Sequence, residues 1–403
     1  MTIEDFPADR AAALHRLQAF GPRMGHHYAR GRNTDLGPGH RADVSRLSPA
    51  LRHRLVTEAE VVATALRLHG AEAAGKFIEE VFWRSYWKGF LQLRPALWDD
   101  YQAELAQDLA RLEAEPELRA GYDRAVHGAT GIAGFDAWAA ELREAHWLHN
   151  HARMWFASIW IFTLRLPWTL GADFFLRHLL DGDAASNTLS WRWVAGLHTA
   201  GKAYVARAEN IARCTGGRFD PAGQLEEDAA PLPFLPPSAP RPLPGLGPLP
   251  EGPVALLLHE DDLHPESLLP DGVPDGVKVR AIAGFAVPQA RSPLGCAPGV
   301  ARHAWQALAD GLARAGRHFD APATGLAPEA VAGWAVGHGL PVVTPEAPVG
   351  WTAAALEGLG IPLHPIRRDW DAACWPEATR GYFAFRQRIP DWLASLRLSP
   401  ASA

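Results

Sequence analysis

Residues 181–193, DGDAASNTLSWRW, carry two aspartates, an asparagine and two tryptophans. Asp181 and Asp183 flank a glycine, Asn187 follows, and Trp191 and Trp193 close the run with Arg192 between them. Carboxylates among aromatics are costly unless a cation or hydrogen-bond donors face them. A partner is therefore expected. The stretch FIEEVFWRSYWKGF, 77–90, sets Glu80, Trp83, Arg84 and Trp87 at i, i+3, i+4 and i+7, on one helix face. Two indoles there can stack on a flat ligand while Glu80 accepts hydrogen bonds. An amphipathic helix with an internal Glu–Arg pair gives the same pattern. HWLHNHARM, 146–154, presents Asn150, Arg153 and Met154 on another face. Its histidines, His146, His149 and His151, have no HExxH pattern and no cysteine nearby, so no metal is expected. SRLSP, 45–49, reads as a helix start, with Ser48 as N-cap and Pro49 at the first helical position. Its amides can equally hold a phosphate.

Helices must position these groups. Residues 1–227 have the pattern for them: LSPALRHRLVTEAEVVATALRLHG closed by Gly70 as C-cap, AEAAGKFIEEVFWRSYWKGFLQL stopped near Pro95, and two further helical stretches at 101–123 and 134–164. Residues 228–252, DAAPLPFLPPSAPRPLPGLGPLPEG, are too rich in proline and glycine for helix or sheet and read as a linker. From 253 to 403 the pattern changes. Strand-like VALLLHEDDL and VKVRAIAGFAV are followed by the helix RHAWQALADGLARAG, closed by Gly316, then by helix–strand pairs ending in LPVVTPE and IPLHPIRR. Alternation of this kind implies a small doubly wound parallel α/β domain.

The bulk numbers fit such a protein. The chain has 403 residues, 48% hydrophobic and 21% charged, enough for two or three domains. Three scattered cysteines without a CxxC pair exclude a disulfide scaffold or zinc ribbon and fit a reducing cytoplasm. No signal peptide or apolar run long enough to span a membrane is visible. Residues 1–225 hold 26 basic and 26 acidic residues, so the net charge of −6 lies entirely in the C-terminal part. No glycine-rich dinucleotide motif follows a predicted strand, which argues against a general Rossmann oxidoreductase.

YARGRN, SRLSP, EVFWR, HNHARM and DGDAASNTLSWRW, in this order over residues 20–220, resemble the flavin-binding half of the DNA photolyase/cryptochrome family. The resemblance implies a folded FAD within the helical domain. Tyr28 matches a residue lining the phosphates, and Ser45, Leu47 and Ser48 match the stretch holding the pyrophosphate. Phe77, Arg84, Asn150 and Arg153 match further cofactor positions, with Arg153 expected to pair with Asp181. Asp181 and Asp183 match the aspartates at the flavin edges, and Asn187 matches the position facing flavin N5, where photolyases have asparagine. Glu80, Trp83, Asn150, Met154 and Trp193 match the pocket for a flipped-out cyclobutane pyrimidine dimer. Trp191 and Trp168 match the inner members of a tryptophan relay that photoreduces the flavin. Trp98 is the positional candidate for a third, surface member. Trp155 and Trp160 read as core.

The implied activity is that of a carbon–carbon lyase. Excited reduced FAD gives an electron to the dimer, the ring splits and the electron returns. Catalysis would rest on Trp191, Trp168, Asn187 and Glu80, and the partner would be DNA containing pyrimidine dimers. Members of the family begin with an α/β domain; here PVALLLHEDDLHPESLLP resembles that domain's first strand, so a circularly permuted, shortened layout is expected. The family's α/β domain can hold an antenna chromophore; the sequence assigns no pocket to one here. The tail 366–403 matches no motif of the family and reads as scaffold. The acidic C-terminal domain reads as a surface for a protein partner rather than for DNA. Ala140 and Gly216 depart from the family near DNA-contacting segments, which favours single-stranded substrate. A cryptochrome-like photoreceptor without repair activity is the alternative implied by the same resemblance.

Overall fold

The protein is described by a computed structural model covering residues 3–269 and 277–398. Residues 399–403 of the expected tail and Pro270, which ends the strand-like PVALLLHEDDLHPESLLP stretch, lie outside the described residues.

Eleven α-helices fall between Arg10 and Cys214, and no strand accompanies them among the described residues. The longest, Glu58–Gln92, starts at Thr57 with a reciprocal capping box to Glu60. Gly70 breaks it with φ 72° and ψ 169°, so the expected stop is present as a kink and the chain resumes helix at once. The single helix expected over 47–70 is two. Ser48–Arg52 ends early, and Arg54 takes a left-handed φ of 50°. The break turns Arg52, His53 and Arg54 into the interior, where each meets a partner from the C-terminal half. Those long-range pairs outweigh local helix propensity.

Residues 228–252 contain neither helix nor strand. They run against the helical half: the Leu232 amide donates to Ala195 O at 3.0 Å, and that of Arg241 to Leu93 O at 2.8 Å.

Beyond them lie five strands: β1 (Pro253–His259), β2 (Lys278–Phe285), β3 (Ala323–Gly325), β4 (Val342–Pro345) and β5 (Leu363–Ile366). All neighbouring strands are parallel and the order is β3-β2-β1-β4-β5, a doubly wound sheet. β1 is central and buried on both faces, hence its unbroken apolar run. Val254, Leu256 and Leu258 join the core shared with the helical half, with Leu308 and Leu312 of helix Pro298–Phe319. Ala255 and Leu257 face the other way, toward Val331, Ala335 and Leu356. β3 carries no apolar signal because its three residues are exposed. Gly316 does not end its helix, which continues to Phe319 and closes at Asp320 with φ 49°. The tail forms helices Asp369–Cys374, Tyr382–Arg386 and Ile389–Ser395. It lies on the long helix: Trp370 Nε1 donates to Ser85 Oγ at 2.7 Å.

Burial pushes the imidazoles of His178, His198 and His303 down to about 4, against 6.5 when free. The folded chain keeps them neutral, whereas the unfolded chain takes up protons below about 6.5. Their contribution to stability is complete above pH 6.5 and is lost as the pH falls toward 4. Between about pH 7.5 and 5.5, urea denaturation should show a loss of about 1 kcal/mol for each of the three imidazoles. Equal stability at the two pH values would show that these rings are not held neutral.

Candidate functional site

The kinked long helix, the helix Asn150–Ser158, the loop 179–183 and the helix Ala184–Ala195 enclose a cavity of about 560 Å³. That is within the usual range for small-molecule sites. Every site residue expected from the sequence lines it except the relay candidates Trp168 and Trp98.

The loop 179–183 carries the charge. Arg153 makes a two-pronged ion pair with Asp181, at 3.0 and 2.9 Å. Asp183 has two tasks. Its Oδ1 caps the helix Ala184–Ala195 by accepting from the Ser186 amide at 2.7 Å, and its Oδ2 accepts from Arg84 at 2.6 Å. Burial alone would raise both carboxyls. The facing guanidiniums, Arg153 for Asp181 and Arg84 for Asp183, outweigh it and hold both below the usual carboxylate range. Two anions therefore stand in an apolar wall with their charge compensated.

Asn187, one turn on, is buried, and its Nδ2 donates to Ala172 O at 2.8 Å. Trp191 packs edge-on against Phe175 and Trp160, with centroids 5.1 and 6.3 Å apart. Gly171 makes this packing possible, because a Cβ there would overlap the Trp191 ring. Trp191 Nε1 and Ser186 Oγ are buried without partners, two polar groups on the cavity wall that a ligand can satisfy.

Toward the mouth the lining is more open. Trp83, Glu80, Met154 and Trp193 are half-buried and Asn150 is exposed. Arg32 donates to Glu80 at 2.7 Å. Burial nevertheless prevails over Arg32 and raises the Glu80 pKa. Trp193 stacks on Tyr204 at 5.7 Å. Trp83 stacks on Tyr382 at a centroid distance of 3.5 Å and an interplanar angle of 11°.

At the third side, Tyr28 and Phe77 meet edge to face at 5.0 Å beside Ser45, Leu47 and Ser48. Ser48 is not the N-cap. Leu47 takes that place without a side-chain bond, and Ser48 is the first helical residue, its Oγ accepting from Trp147 Nε1 at 3.3 Å. The helix it opens has only five residues. Side chains such as Arg46 and Tyr28, rather than a helix dipole, supply the polar character there.

Trp168 faces a second cleft, which it shares with Glu104 and Asp108. Its Nε1 donates to Glu104 at 2.8 Å. Trp98 is buried, not at the surface: Tyr101 lies between it and Trp168, with centroids 5.2 and 5.6 Å away, and Trp351 of the C-terminal half is 6.3 Å away on its other side. Trp155 and Trp160 are fully buried. His146 and His149 are engaged by backbone groups, and among the described residues no cluster of His, Cys, Asp and Glu is arranged to hold a metal. No helix among the described residues is long and apolar enough to cross a membrane.

Sequence reasoning missed Arg32, Glu58, Trp147 and the Tyr382 stack. Arg32 stands in the quoted YARGRN, four residues after Tyr28, a spacing that sets the two on one helix face. Tyr382 is about 300 positions from Trp83 and gave none.

Residues 77–227 match the family described as the FAD binding domain of DNA photolyase. A deoxyribodipyrimidine photo-lyase of Streptomyces griseus is 40% identical over 156 residues, 38% of this chain and 32% of the relative. Those of Vibrio cholerae and Escherichia coli are each 26% identical, over 227 and 230 residues, 55% of this chain and 44% and 46% of theirs. This chain thus spans less than half the length of each. Two solved structures are similar: a bacterial class III photolyase from Agrobacterium tumefaciens (25% identity, TM-score 0.41) and a cryptochrome of Synechocystis (23%, 0.42), each covering 52% of this chain and 43% of theirs. FAD is the cofactor of the matched domain, and the cavity suits it: aromatic walls, compensated anions, unpartnered buried donors and arginines on one side. The helical half is thus similar, over residues 77–227, to the FAD binding domain of DNA photolyase.

Proposed function

We propose that the protein repairs cyclobutane pyrimidine dimers in DNA by light, with single-stranded DNA as the preferred form. The observation that carries this reading is the grading of one cavity: buried Asp181, Asp183, Asn187 and Trp191 within, half-buried Trp83, Trp193, Met154 and Glu80 with exposed Asn150 at the mouth. When bound, reduced and excited, FAD supplies an electron to the dimer and receives it back.

The chain's own residues do the rest. Arg153 and Arg84 keep Asp181 and Asp183 ionised beside the cofactor. Asn187, anchored through Ala172 O, offers a neutral amide inside the cavity. Trp83 and Trp193 present ring faces to an extruded dimer of adjacent pyrimidines. Glu80, held by Arg32 at 2.7 Å, turns its carboxyl toward the polar edge of a pyrimidine. Asn150 and Met154 complete that edge. Trp191 takes the inner relay position. Trp168, hydrogen-bonded to Glu104 in a cleft of its own, takes the next.

We take residues 1–227 as the flavin- and DNA-binding unit, 228–252 as a linker and 253–403 as the α/β unit, a permuted order. The photoreceptor reading has one observation in its favour: the C-terminal segment touches the cavity wall directly, through Tyr382 on Trp83.

Blue-light irradiation of the reduced protein with a dimer-containing single-stranded oligonucleotide should restore the pyrimidines; unchanged dimers would leave the photoreceptor reading. Two substitutions should separate the two tryptophans of the 181–193 run. Trp193→Ala should weaken dimer binding by about tenfold or more, as loss of a base-stacking ring does, with photoreduction intact. Trp191→Phe should slow photoreduction and leave dimer binding within about twofold. Equal effects of the two on both assays would contradict the division of roles.

A further inference from the structure

The two halves of the chain meet across a buried seam of charge. β1 runs into His259-Glu260-Asp261-Asp262, and all four side chains are buried. Opposite Glu260 and Asp261 stand Arg52, at 0% exposure, and Arg291, at 2%. Arg52 spans the seam. Its Nε donates to Gly182 O at 2.8 Å, one terminal nitrogen pairs with Asp261, and the other lies 3.5 Å from Glu260. Arg291 donates to Leu179 O at 3.1 Å and to Glu260 at 3.2 Å. Glu260 is itself fixed by the Val287 amide at 3.0 Å. Both guanidiniums lie 5.3 Å from the ring of Trp351.

Leu179 and Gly182 bracket Asp181, and Gly182 immediately precedes Asp183. Two carbonyls of the loop that carries both cavity aspartates are thus held by arginines whose charge is compensated from the other half. An independent contact reaches the same place. A Cβ on Gly350, which precedes the helix Trp351–Gly358, would lie 2.9 Å from the Cβ of Ala184, the residue after Asp183.

A buried guanidinium is retained only while its anions are present; removing one leaves an uncompensated charge that must relax toward water. Loss of Asp261 or Glu260 therefore releases the carbonyls of Gly182 or Leu179. The carboxylates of Asp181 and Asp183 then lose their aim while their own partners, Arg153 and Arg84, remain in place.

We propose that Glu260 and Asp261 of the α/β half are positioning residues for the FAD site, acting through Arg291 and Arg52 on the loop 179–183. The inference rests on the reading of the cavity as that site. It gives the α/β half a role in cofactor binding that needs no antenna chromophore.

The test uses the full chain, stripped of cofactor and titrated with FAD, with thermal stability followed alongside. Asp261→Asn and Glu260→Gln should weaken FAD binding by about tenfold or more, as loss of supporting contacts does, and should alter the visible circular dichroism of bound flavin. Arg52→Lys keeps the charge but cannot span Gly182 O and Asp261, and should do the same. Asp261→Glu should recover part of the affinity. Trp370→Phe removes a contact between the halves that does not reach the loop; it should lower the melting temperature and leave FAD affinity within about twofold. Should Asp261→Asn fail to fold, Gly350→Ala, which presses on Ala184, should give the altered dichroism. Folded Asp261→Asn and Arg52→Lys that bind FAD like the parent, with unchanged dichroism, would overturn the proposal. So would Trp370→Phe weakening FAD as much as they do, since the seam would then act only through stability. A parent chain that takes up no FAD would instead remove the reading of the cavity on which the proposal stands.

Discussion

Arginines buried between the halves set the terms for the rest of the molecule. Arg52 and Arg54 leave the helix Ser48–Arg52 and its following turn together and enter the acidic end of β1, Arg52 toward Asp261 and Arg54 toward Asp262 and Asp371. Burying such cations costs several kcal/mol each unless anions and carbonyls meet them closely, and removing one partner from a buried pair costs about 3–5 kcal/mol. The arrangement therefore fixes where the helical half can sit. It also fixes the short helix that carries Ser48 and the loop that carries Asp181. A seam of leucines would bind the halves as well but would leave their register loose; hydrogen-bonded forks admit few alternatives.

The cavity follows from that frame. Its floor is charged but compensated, with Arg153 and Arg84 as the cations of the site itself. Its mouth is aromatic. The helix Ala184–Ala195 serves both, because residues two apart on a helix point to nearly opposite sides. Trp191 is buried among Phe175 and Trp160, whereas Trp193 is half-exposed against Tyr204. One short helix can thus line both the interior of the cavity and its rim.

How much of this could be read beforehand depended on sequence distance. Local periodicity placed the helices before 227, the alternation after 252 and the shared face of Glu80, Trp83 and Arg84. The Arg153–Asp181 pair was legible because an acid among aromatics demands a cation, and a resemblance to a known family supplied which one. Local signals misled where distant contacts decide. Ser48 has the chemistry of a cap, yet its hydroxyl serves Trp147. Gly316 has the look of a stop, yet the helix runs on to Phe319 and Asp320 takes the left-handed φ that closes it. β3 was silent because an exposed three-residue edge strand needs no apolar pattern. Trp98 has the position of a surface relay member, yet Trp351 from the other half packs beside it. The stack of Tyr382 on Trp83 and the seam itself join residues hundreds of positions apart, beyond the reach of spacing arguments.

FAD is expected in the cavity between the long helix and the loop 179–183. An absorption spectrum of the purified chain after removal of free ligand tests it most directly. Flavin bands are expected, with FAD in close to equimolar amount, either as isolated or after incubation with FAD. A protein that stays colourless after that incubation would contradict it.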